Sequence, residues 1–141
     1  LELKRVGGLY LDKKYLTTVT KIFTPQQSST LDFNINISTE FDRELWYVLE
    51  FNFHFFDNEN IFVNSQKVGE MVSGKDFEIK SADFPKKIYI QFETTAIAHS
   101  FKVQTVSQSE SGVNLTTQGV SILFPFKFKG SQNIAGKIKI N

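Results

Sequence analysis

The sequence predicts an all-β fold, an antiparallel, jelly-roll-like β-sandwich of about eight or nine strands. Three observations predict it. Fifteen Phe stand beside four Ala, and Val, Ile and Thr supply 33 of the 141 residues, so strand formers abound where good helix formers are scarce. Apolar residues recur at every second position in several segments, as half-buried strands require. Turn formers then separate these segments at short intervals. The Phe excess reads as core filling, because two facing sheets about 10 Å apart need bulky side chains between them.

Each element has its own signal. Residues 7–11 and 15–23 open the chain. The second fits a short helix with Leu16, Val19 and Phe23 on one side, but three Thr and its bulky side chains lower helix propensity, so a strand is expected. Residues 31–37 alternate strictly, with Leu31, Phe33, Ile35 and Ile37 on one face. Residues 45–56 put Leu49, Phe51, Phe53 and Phe55 on one side and predict a long central strand. Turn formers at 57–60 and renewed apolar character at 61–63 predict a hairpin back onto it.

Three more short strands are expected at 77–79, 87–93 and 101–106, with connections at 83–85 and 98–100. Residues 107–117, rich in Ser, Thr, Gln and Gly, read as a loop. Alternation returns at 120–128, where Pro125 predicts an edge or a bulge because proline cannot donate to a ladder. A last alternating piece, 137–140, closes the chain. Together these make a single β-sandwich domain over residues 1–141, and the absence of a start Met or signal pattern marks it as a piece of a larger protein.

A known pattern runs through the middle. Residues 48–57, 61–64, 67–70, 81–92 and 100–103, with Phe101 and Val103 in the last, follow an order that resembles CUB domains over residues 45–106, without the paired cysteines of that family. The resemblance implies an extracellular jelly-roll-like binding module. It also implies a calcium ion held by acidic side chains at one loop end, where only Asp57 and Glu59 are available here.

Composition excludes much chemistry. With no Cys and only His54 and His99, a thiol nucleophile and a three-histidine zinc site are both impossible. No nucleophile elbow, Walker loop or dinucleotide fingerprint occurs. Glu40, Asp42 and Glu44 cluster before Leu45, but a solvated acidic turn explains them better than a pair of catalytic acids. The chain is therefore read as no enzyme. No cofactor is expected, calcium at Asp57 and Glu59 being the one candidate, although an ordinary hairpin loop explains the same residues.

Binding chemistry has more support. A net charge of +1 excludes wholesale nucleic-acid binding. Residues 111–141 carry four Lys and no acid, so Lys127, Lys129, Lys137 and Lys139 form one basic patch if their strands are neighbours, facing an acidic protein, an anionic glycan or a membrane. The same lysines also guard edge strands against aggregation. Trp46, Tyr47 and Tyr89 are the candidates for an aromatic glycan platform; Tyr47 and Tyr89 would pair across strands, and Trp46 and Tyr47 must point to opposite faces.

The expected function is a non-catalytic recognition or adhesion module for a protein or glycan, extracellular or at the cell surface. The alternatives are an intracellular sandwich docking on acidic surfaces through its C-terminal lysines, or assembly by strand addition. The sequence leaves the oligomeric state open.

Overall fold

The computed structural model describes residues 1–55, 60–109 and 112–141. The described residues form ten strands: β1 (Glu2–Tyr10), β2 (Lys14–Gln26), β3 (Thr30–Thr39), β4 (Leu45–Phe53), β5 (Ile61–Val63), β6 (Gln66–Lys67), β7 (Met71–Ser81), β8 (Phe84–Ser109), β9 (Gly112–Phe128) and β10 (Ser131–Ile140). Every pairing is antiparallel. The sheet order is β1-β2-β3-β10-β8-β7-β5-β6, and β9 pairs with both β8 and β4.

β8 explains how one connected sheet becomes a sandwich. Its first part, around Ile88–Phe92, lies between β10 and β7. From His99 onward it pairs with β9 instead. The strand thus passes from a large layer, built on β1, β2, β3, β10 and β7, into a small layer with β9 and β4. Phenylalanine rings join the layers: Phe92 and Phe124 have centroids 4.8 Å apart, Phe77 and Phe124 4.9 Å, and Phe33 and Phe51 6.1 Å. Burying each such ring contributes about 1.5–3 kcal/mol, so this aromatic seam is where the two layers are held together.

Alternation sets the register as the sequence predicts at several places. Phe33, Ile35 and Ile37 of β3 are buried, as are Ile88, Ile90 and Phe92 of β8 and Val120, Ile122, Phe124, Phe126 and Phe128 of β9. β2 is a strand throughout. Tight turns use the expected chemistry. Asn64 and Ser65, at φ 48° and 68°, link β5 to β6, the pair of left-handed residues that a two-residue hairpin turn requires. Asn64 also accepts from Glu78 N at 2.7 Å and donates to the Asp76 carbonyl at 2.8 Å.

Four expectations are corrected. β4 is an edge strand, paired with β9 alone. β5 pairs with β6 and β7, so it does not fold back on β4. Residues 98–100 lie inside β8; Ala96, Ala98 and Ser100 continue the buried alternation with small side chains. The described residues of the expected loop at 107–117 form a ladder between β8 and β9, in which Ser107 pairs with Asn114 and, just before it, Val106 with Leu115; the rest of that expectation lies outside the described residues. Pro125 fits its place: the β8–β9 pairing ends at His99 and Leu123, so at Pro125 the strand has β4 as its one partner, the setting in which a missing N–H is tolerated.

Candidate functional site

With the odd or even set of each strand committed to the core, the remaining set forms two outer faces of opposite character. On the large layer the outward residues are polar. Asn133 Nδ2 donates to Asn34 Oδ1 at 2.8 Å and to Asn36 Oδ1 at 2.7 Å, and Asn36 Nδ2 donates to Asn34 Oδ1 at 2.9 Å. Further along, Tyr89 stands opposite Lys139. Its hydroxyl donates to Glu78 Oε2 at 3.1 Å, which also receives Lys87 Nζ at 2.9 Å. The Lys87 ammonium, with help from Tyr89, holds the Glu78 carboxyl below its ordinary range, and Glu78 raises the Lys87 ammonium in turn.

A hollow of about 500 Å³ opens on this face, above β2, β3, β10, β8 and β7. Lys137 stands at it, opposite Asp32 on one side and Gln91 on the other. Asp76 Oδ1 accepts from Gln91 Nε2 at 2.5 Å, and Asp32 Oδ2 accepts from Gln26 Nε2 at 3.0 Å. Sequence reasoning picked Lys137 but missed Asp32, Asn34, Asp76 and Gln91. They come from strands far apart in the chain, and the only local signal is that each is a polar member of an alternating set.

The small layer presents a different face. Trp46 is 64% exposed and lies opposite Lys127, whose Nζ is 2.7 Å from Glu44 Oε2. Beside it runs an apolar band that includes Val48, Ile97, Phe101 and Val103, each more than one-third exposed. Tyr47, one residue on from Trp46, turns inward opposite Phe126 and packs on the core. It lines a recess of about 410 Å³ with Leu3, Arg5, Val19 and Lys21.

The expected groupings are therefore redistributed. Trp46 and Tyr47 do point to opposite sides. Tyr47 and Tyr89 are not brought together, because β4 and β8 do not pair and the two side chains belong to different layers. The four lysines do not form one patch: Lys127 and Lys129 leave from β9 and its exit, while Lys137 and Lys139 stand on β10, which pairs with β3 and β8 and not with β9.

The acidic turn is structural, since Glu40 Oε2 accepts from Leu16 N at 3.0 Å and Glu44 pairs with Lys127. His54 Nδ1 bonds the Gln118 carbonyl. Among the described residues no three His, Cys, Asp or Glu side chains come together as metal ligands. Asp57 and Glu59 lie outside the described residues.

Fold and faces together define an antiparallel β-sandwich domain. Residues 1–140 match the family described as Alpha-amylase/4-alpha-glucanotransferase, C-terminal. The chain belongs to that family of C-terminal domains. Among solved structures, the crystal structure of 4-alpha-glucanotransferase from Thermococcus litoralis is similar in fold, with a TM-score of 0.79 at 23% identity, over 98% of this chain and 20% of that one. The chain thus spans about a fifth of the length of that relative. No curated protein sequence matches it. The CUB resemblance is overturned by the family match, which takes in the residues after Val106 for which the CUB order had no place.

Proposed function

We propose that this domain serves a glucan-active enzyme by holding an α-glucan chain, with Trp46 as the stacking platform. In this reading residues 1–141 act as one sandwich unit of a larger enzyme. The observation that carries it is the exposed Trp46 indole on a domain of this family. A pyranose ring has an apolar C–H face that packs on an indole and a rim of hydroxyls that need polar partners. Trp46 supplies the first, and the Glu44–Lys127 pair beside it supplies an acceptor and a donor for the second. The β4–β9 register sets Trp46 beside Lys127 on the outer face of the small layer.

The chain has one Trp, so indole emission, excited selectively over its tyrosines, reports on this platform alone. Titration with maltoheptaose is expected to change that emission, and Trp46→Ala to weaken binding about tenfold, as a lost aromatic contact of roughly 1–1.5 kcal/mol implies. Unchanged emission at saturating maltoheptaose overturns the platform.

A second reading is favoured by the apolar band of Val48, Ile97, Phe101 and Val103. Contiguous exposed apolar surface marks interaction sites, and here the occupant would be the catalytic body of the enzyme. Trp46 emission would then stay fixed with maltoheptaose and shift to the blue when the catalytic portion is added.

A further inference from the structure

We infer that the hollow on the large layer is a second glucan site, one that takes a single glucosyl unit. This rests on the reading of the domain as a glucan-holding one, but uses a different face and different residues from the Trp46 platform.

The hollow exists because of a small side chain. Ala135 is an outward residue of β10, opposite Asn34 of β3. It sits between the longer Asn133 and Lys137, so its methyl leaves a dip in an otherwise tall polar surface. At the β7 rim a register shift between Gly74 and Asp76 brings Lys75 and Asp76 to the edge, and such bulges commonly re-aim side chains beside sites. The volume of about 500 Å³ falls within the roughly 300–1,000 Å³ of small-molecule sites.

Its polar groups are already held in place. Asp76 is fixed by Gln91 and Asp32 by Gln26. Asn34 Oδ1 accepts from both Asn36 and Asn133, which fixes its amide plane. Little ordering is therefore left for the ligand to bring about.

The charges select the ligand class. Asp32, Asp76 and Glu93 oppose Lys75 and Lys137 around one hollow, so neither a polyanion nor a polycation gains from the field. A vicinal diol does gain, because each hydroxyl both donates and accepts: one donates to a carboxylate while its neighbour accepts from an ammonium or amide. Ile22 and Ala135 add an apolar patch for the C–H face. A neutral hexose unit meets all of these groups.

The test is calorimetric titration of the 141-residue chain with maltoheptaose, alongside Trp46 fluorescence. Two binding events are expected. Ala135→Phe, which fills the dip and removes no polar group, should abolish one event and leave the fluorescence response intact. Lys137→Ala, at an exposed position that should not disturb folding, should weaken the same event about fivefold. If neither variant alters the titration, the hollow is no site, while a Trp46→Ala loss would leave the platform standing. If the hollow variants lose binding and Trp46→Ala does not, the platform falls and the hollow stands. Displacement of maltoheptaose by inorganic phosphate, or no binding at all, overturns the hollow as a neutral-sugar site.

Discussion

Ser121 Oγ donates a 2.6 Å hydrogen bond to Glu50 Oε1 on the adjacent strand, and Ser121 is wholly buried although it points away from the core. Phe101 stands opposite it on the other neighbouring strand. A hydroxyl shut off from water in this way needs the carboxylate, whereas the exposed Glu50 can return to water.

The cost of breaking this bond should therefore be lopsided. Ser121→Ala frees Glu50 for hydration and should cost about 1 kcal/mol, while Glu50→Ala strands a buried hydroxyl and should cost up to about 3 kcal/mol. Urea midpoints of the two variants check the order.

Phe124 reaches across the layers, its ring set against Phe77 and Phe92 of the large layer and against Phe51 of its own. Phe124→Ala should destabilise the domain by about 3–5 kcal/mol, through lost transfer energy and the cavity left behind. Phe124→Leu should cost clearly less. Chemical denaturation of both separates volume from aromatic character.

The Glu78–Lys87–Tyr89 cluster gives a pH signature. Glu78 titrates lower in the folded chain than when unfolded, chiefly because Lys87 bonds its ionised form. Its contribution is thus present above the ordinary carboxylate value of 4.5 and is lost as pH falls through the lowered one. Lys87 titrates higher when folded, so its share is present below 10.5 and disappears as pH rises beyond it. Lys87→Met should flatten both limbs of a stability–pH curve. Because Lys87 is half exposed, 1 M salt should shrink the difference.

Two glycines make a matched pair. A Cβ at Gly136 would lie 2.1 Å from the Gln91 carbonyl oxygen and 2.7 Å from the Phe33 ring, whereas one at Gly7 would meet nothing within 4 Å. Gly136→Ala should be strongly destabilising and should disturb the hollow that Gln91 lines. Gly7→Ala should be neutral or stabilising by up to about 1 kcal/mol, through reduced freedom of the unfolded chain. Thermal melts of the two variants decide it.

What could be read from the chain depends on whether side chains had anything to bury. Residues 31–37 and 120–128 place a large apolar group at every second position because one side of each faces the aromatic seam, and both were legible. Ala96, Ala98 and Ser100 obey the same parity with small side chains, which resemble a turn more than a strand. The arm that pairs Val106 with Leu115 has neither side against the core, and both residues are exposed. Its backbone pairing left no trace in hydropathy. Partner choice was equally hidden: nothing local says that β4 joins β9 and not β5. That same non-local pairing split the four lysines and assembled Asp32, Gln91 and Lys137 from three distant strands.

The long strand β8 carries Gln91 beside the hollow and Phe101 on the opposite face. Neither layer can open without stripping amide partners from a ribbon that the other requires. Hydrogen exchange along its core-facing stretch, residues 88–100, should therefore be governed by global opening, with no fraying of one layer ahead of the other. Whatever occupies either face slows exchange under both, since it draws on the free energy of a single shared unfolding event.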